Sequence, residues 1–116
     1  AGVLPGEVNL FELDDAFSIY AILSLEAAGF AQPGEGWKLG QNGGLHLDGR
    51  LPILTMGGSK GRGNPLGATG VYQLVEAALQ LRGEAGANQV KDARLALTLS
   101  LGGPASTAYA HILQKA

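Results

Sequence analysis

One stretch limits what this chain can fold into more than any other: Gly57-Gly58-Ser59-Lys60-Gly61-Arg62-Gly63-Asn64-Pro65-Leu66-Gly67-Ala68-Thr69-Gly70. Glycine gives up the most backbone freedom on ordering, so such a run reads as a shaped loop. The run opens a helix predicted over Leu66–Leu81, which Arg82-Gly83 ends. Gly67, Ala68 and Gly70 let the first turn of that helix approach other backbone closely. Backbone N–H groups at a glycine-rich helix start also suit an oxyanion or a phosphate, although close packing plus a turn explains the same residues equally well. Phosphate-loop spacings fail. There is no G-x-x-x-x-G-K-[ST], and a G-x-G-x-x-G read from Gly61 needs glycine where Leu66 stands. A nucleotide fold is therefore disfavoured.

Around this loop the chain reads β-α-β-α-β-β. Val8 to Leu13 alternates apolar and polar residues, which predicts a strand. Asp14 or Asp15 then caps a helix reaching about Ala28, with Gly29 as its C-cap. Apolar residues cover most of that helix, predicting burial on more than one side. Residues 31–50, glycine-rich and containing Pro33, form a loop excursion. Leu51–Met56 is a predicted strand and residues 84–93 a polar connection. Arg94–Leu101 and Ser106–Leu113 alternate as a hairpin around Gly102-Gly103-Pro104. The order describes an α/β unit occupying residues 1–116 as one domain.

Composition narrows the function. Charged residues are 16% of the chain and glycines 19 of 116, leaving less polar surface than a free-standing domain usually shows, which hints at burial against something else. A net charge of −2 argues against nucleic acid, which needs a basic stripe. The absence of cysteine removes a thiolate nucleophile, a disulfide framework and a Cys-ligated metal. Ala16 to Phe30 is too short and too polar to span a bilayer, so no membrane is expected. Redox leaves the compartment open, nothing requires secretion, and a cytoplasmic location is the expectation. The start, without Met, suits a fragment of a longer protein.

The chemistry-bearing residues are sparse. Gly57-Gly58-Ser59-Lys60-Gly61 fits the G-x-S-x-G elbow, and Ser59, Asp92 and His111 fall in α/β-hydrolase order. An elbow serine must lead straight into a helix, whereas Gly61, Gly63 and Pro65 follow here. His46 and His111 stand apart from carboxylates at ligand spacing, so no metal is expected. Asp14-Asp15 reads as a helix cap before a catalytic pair, and Trp37 as part of a partner-covering loop before a ligand lid. Residue chemistry by itself shows no catalytic constellation.

The segments in order resemble the C-terminal half of thiolases, closest to the sterol-carrier-protein type and to acetyl-CoA acetyltransferases. Asp14-Asp15-Ala16-Phe17 resembles that family's N-E-A-F or H-D-A-F segment. Gly57 to Gly70 resembles its G-G-x-x-x-x-G-H-P-x-G-A-T-G signature. Gln80-Leu81-Arg82-Gly83 matches the following helix end, and Leu101-Gly102-Gly103 the terminal hairpin turn. The resemblance covers essentially the whole chain.

It implies a thiolase-like αβαβα fold, of which this is an incomplete C-terminal half, with the Leu66–Leu81 helix in the middle layer. The nucleophilic cysteine of thiolases belongs to an N-terminal half, implied as partner in the same or a separate chain, and a homo- or hetero-oligomer follows by resemblance. The ligand implied is a CoA thioester, an acyl-CoA, with no permanently bound cofactor. The matching catalytic positions carry altered residues. Asn64 replaces the histidine of G-H-P and keeps a hydrogen-bond donor but cannot take a proton near neutrality. Asp14 replaces the Asn or His of the oxyanion site, where a carboxylate opposes a developing enolate. Ser100 replaces the second cysteine. Gly63 and Gly67 are the expected ligand-contacting glycines. The alternatives are a retro-aldol lyase on a β-hydroxyacyl-CoA with an OB-fold partner protein, and a non-catalytic acyl-CoA or lipid-binding module.

Overall fold

A computed structural model describes residues 2–116. Its sheet has three strands in the order β1-β2-β3: β1 (Leu10–Glu12), β2 (Leu95–Gly102) and β3 (Thr107–Gln114). β1 runs parallel to β2 with Glu12 opposite Thr98, and β2 runs antiparallel to β3 with Ser100 opposite Tyr109. Three α-helices surround it: α1 (Ser18–Ala27), α2 (Gly58–Arg62) and α3 (Thr69–Arg82).

The sheet separates two cores. Leu10 and Ala96 on one face pack with Ala77 and Leu81 of α3. Phe11, Leu95, Leu97 and Leu99 on the other pack with Leu25 of α1 and with Leu51. This gives three stacked layers, α1–sheet–α3. Alternation predicts Glu12 on a solvent face, but both faces of β1 are covered and Glu12 is fully buried.

α1 differs from expectation at its start. It begins at Ser18, and Phe17 caps it without a side-chain bond. Neither aspartate is its cap, because Asp14 accepts the N–H of Ala16 (2.9 Å) and Asp15 turns to α2. Its end is as read: Gly29 takes φ +82° and its N–H reaches Glu26 O. α1 buries Ser24 and Leu25 only, leaving Phe17, Ile19 and Leu23 exposed, so one side rather than several is covered in this chain. Glu26 accepts the N–H of Gly36 (2.8 Å), tying the excursion to α1 and holding its carboxyl below the ordinary range.

The predicted strand Leu51–Met56 contracts to one parallel bridge between Ile53 and Phe11. Leu54 adopts φ +49°, which turns the chain away after that single pairing. The glycine run is not a plain loop, since it contains α2. The predicted helix over Leu66–Leu81 begins as a 3-10 turn at Leu66–Ala68 and continues as α3 to Arg82, where Gly83 ends it at φ +76°.

α3 buries a polar stripe at seven-residue-type spacing: Thr69, Gln73, Glu76 and Gln80. Each side chain holds something else in place. Gln73 Nε2 donates to Leu99 O (3.0 Å), a β2 carbonyl beyond the end of β1. Gln80 donates to Asn88 O (2.6 Å) and accepts from Val90 N (2.7 Å), fixing the entry to β2. The opposite face of α3 is uncovered, with Val71 63%, Tyr72 47% and Val75 53% exposed. β3 is exposed along nearly its whole length, on both faces and at its outer edge.

Candidate functional site

The residues singled out by resemblance gather at one end of the sheet. Asp14 and Ser100 each lie two positions beyond the last β1–β2 pair, Glu12 with Thr98. Both therefore sit at the carboxyl end of parallel strands, where α/β sheets generally receive ligands. Asp14 is buried, whereas Ser100 is half-buried and leans on the first turn of α3: a Cβ at Gly70 would stand 3.0 Å from Ser100 Oγ. Asn64 is exposed on the glycine loop leading into that turn, and its Oδ1 accepts the N–H of Leu66 (2.9 Å). The Asn64 amide nitrogen is left free to donate outward. Among the described residues no hydrogen bond links the three side chains.

The loop that presents Asn64 is held from below by carboxylates. Asp15 Oδ1 and Oδ2 accept the N–H groups of Ser59 (2.6 Å) and Lys60 (3.1 Å), so the aspartate read as a cap for α1 caps α2 instead. Glu12 Oε1 accepts from Thr55 N (3.0 Å) and Thr55 Oγ1 (2.8 Å). Arg62 Nε donates to Glu76 of α3 (2.7 Å), and its guanidinium lies 4.6 Å from the centre of the Tyr72 ring. These contacts were not legible in the sequence. No spacing rule links Arg62 to Glu76, and a glutamate between Phe11 and Leu13 looks like an ordinary outward strand position.

Above this base, Arg62, Gly63, Asn64, Pro65 and Tyr72 line a shallow cleft of about 220 Å³. Gly63 takes φ +100° at its rim. Gly67 does not line the cleft, and nothing lies within 4 Å of where its Cβ would be; Gly70 is the glycine that permits a close approach. The cleft has a hydrogen-bond donor in Asn64 and a cation already paired to Glu76. It therefore suits the neutral oxygen of a carbonyl better than a fully ionised group.

The hydrolase order dissolves in three dimensions. Ser59 does enter a helix at once, since α2 starts at Gly58, contrary to the loop reading of Gly61 to Pro65. Its hydroxyl is nevertheless buried with no hydrogen-bond partner among the described residues, while Asp92 and His111 are exposed. His46 and Trp37 are also exposed. Among the described residues no group of three His, Asp or Glu could hold a metal ion. In the same span no helix is long and apolar enough to cross a membrane.

A protein family described as "Thiolase C-terminal domain-like" matches residues 1–115. The chain belongs to that family. This thiolase C-terminal domain is 44% identical over 115 residues to an acetyl-CoA acetyltransferase of Methanothermobacter thermautotrophicus, covering 99% of the domain and 30% of the relative. It is 43% identical over 107 residues to sterol carrier protein 2 of Rattus norvegicus, covering 90% of the domain and 20% of that protein. Among solved structures it resembles the Ltp2-ChsH2(DUF35) aldolase, with TM-score 0.86 and 30% identity over 98% of the domain and 28% of that chain. The chain thus spans less than a third of the length of these relatives. Its mixed α/β layers are those of a thiolase-like C-terminal fragment.

Proposed function

We propose that this domain forms one wall of a CoA-thioester site that a thiolase-like N-terminal half completes. The observation that carries the reading is the braced loop: Asn64 is presented at a cleft directly beside the uncovered apolar face of α3. A docked half-domain would bury that face and roof the cleft at once. Asn64 then donates to the thioester carbonyl, Ser100 stands below it against Gly70, and Asp14 lines the sheet end. Gly63 lets backbone approach the acyl group, with Gly67 free of steric hindrance beside it. The nucleophile comes from the other half, because this chain has no cysteine. An oligomer built through the N-terminal half, a cytoplasmic location and acyl-CoA or lipid as ligand complete the reading.

A second reading has a specific observation in its favour, the likeness to an aldolase assembled from two named proteins. Here the substrate is a β-hydroxyacyl-CoA, Asp14 acts as the base that takes the hydroxyl proton, and an OB-fold partner protein joins the assembly. A carboxylate there opposes the thioester enolate that both reactions develop, but only the retro-aldol step offers it a hydroxyl proton. As Asp14 takes that proton the Cα–Cβ bond breaks, leaving a carbonyl product and an enolate whose oxygen Asn64 holds until it is protonated. The two readings separate on the assembled protein. In the retro-aldol case Asp14→Asn lowers turnover of a β-hydroxyacyl-CoA by about 10²–10⁴-fold. Unchanged turnover removes Asp14 from the mechanism. Asn64→Ala lowers kcat by about 10²–10³-fold in either case, as expected for a lost oxyanion donor. Binding of CoA esters with no turnover of either substrate class leaves the non-catalytic module.

A further inference from the structure

Glu12 is the most deeply buried ionisable group outside the site positions, fully shielded from solvent at the end of β1. Only half of its carboxyl is satisfied. Oε1 accepts the two Thr55 bonds, whereas Oε2 is buried without a hydrogen-bond partner among the described residues. A buried unpaired carboxylate oxygen is costly unless the group is neutral. The charges facing it are few. Glu76 on α3 repels an ionised Glu12, and Arg62 on α2 attracts it. Arg62 is already engaged by Glu76 through both Nε and Nη2 (2.7 and 3.5 Å). From β2 the register neighbour is the uncharged Thr98, and Asp15, three residues on, is occupied with the N–H groups of α2.

We propose that Glu12 is a positioning residue that works as a proton-operated latch on the loop carrying Asn64. Glu12 holds Thr55 in either form, and neutral it also leaves the Arg62–Glu76 pair intact, so both ends of α2 are fixed. Ionised, it competes with Glu76 for the Arg62 guanidinium and draws water toward Oε2, which loosens the loop from its Arg62 end. Burial pushes the carboxyl up to about 7, against the Thr55 bonds that lower it, so the latch is set to trip near neutrality. The sign follows from linkage. The latched state holds the proton more tightly than an opened, solvated one, so opening becomes easier as pH rises from the ordinary carboxylate range to about 7, then levels off. This concerns how the loop is held and does not depend on which reaction the site serves.

The test is amide hydrogen exchange across residues 55–70 of the assembled protein between pH 5 and 8.5, corrected for intrinsic exchange. A parallel carbon-13 titration of the glutamate carboxyls covers the same range. Protection of the Ser59 and Lys60 amides is expected to fall by up to about tenfold per pH unit below neutrality and to flatten above it. Glu12→Gln, which keeps the shape of the neutral acid, should hold protection constant across the range. A Glu12 titration midpoint in the ordinary carboxylate range overturns the latch. So does a pH dependence of protection that is absent from the wild type or retained in Glu12→Gln. The wild-type carboxyl titration decides the matter even if the variant fails to fold.

Discussion

Gly58 shows how one residue sets the geometry under the cleft. Its φ of +56° already disfavours a side chain, and a Cβ there would come within 2.7–2.9 Å of the Asp15 carboxyl group. That carboxylate accepts the N–H groups of Ser59 and Lys60 and cannot move without uncapping α2. Gly58→Ala is therefore expected to lose about 2–3 kcal/mol, from left-handed strain plus a displaced cap. Gly61 lies in the same helix without positive φ, and nothing lies within 4 Å of its would-be Cβ. Gly61→Ala should be neutral or stabilising by up to about 1 kcal/mol. Urea midpoints of the two variants check the contrast, and equal losses would show that the loop is not shaped by Asp15.

At the scale of the elements, what the sequence discloses tracks how local the cause is. The end of α1 at Gly29, the end of α3 at Gly83 and the β2–β3 hairpin are governed by residues at the feature itself, and they fall where turn and cap chemistry puts them. The start of α1 was not legible, because Asp15 bonds to a segment 44 positions away in the chain. The strand over Leu51–Met56 fails for a related reason: its apolar run suits a strand, but a positive φ at Leu54 after one bridge ends it. The motif positions of the site were legible through resemblance, whereas the brace beneath them is made of long-range pairs that no pattern encodes. The polar stripe of α3 is the strongest such case. Gln73, Glu76 and Gln80 look like a solvated helix face, yet the face they define is the buried one. Gln80→Leu should cost about 2–4 kcal/mol, since Asn88 O and Val90 N lose their partner inside the fold. A lowered denaturation midpoint at unchanged slope is the expected record.

Across the whole molecule the uncovered surfaces matter most. α3 is packed on one side by the sheet and bare on the other, an arrangement that suits the middle layer of a thicker stack. Val71, Tyr72 and Val75 form that bare face beside the Asn64 cleft. Val75→Asp should leave the thermal melt of this domain nearly unchanged and weaken its association with a thiolase-like N-terminal half by tenfold or more. Burying a valine contributes about 1.5–3 kcal/mol, and an unpaired carboxylate adds a further penalty. Gel filtration and co-purification of the two halves measure it. Undiminished association would mean that another face carries the contact.

The bare edge of β3 imposes a race. Eight residues long, exposed, and paired to β2 along one side only, the strand can be matched along its outer edge by an identical strand from any neighbouring copy. That encounter is bimolecular and speeds up with concentration. A covering segment tethered to the same polypeptide would arrive in a unimolecular step, which does not. Crowding of newly made chains thus favours pairing between copies, so this bare edge sets how densely the protein can be made before it begins to find itself.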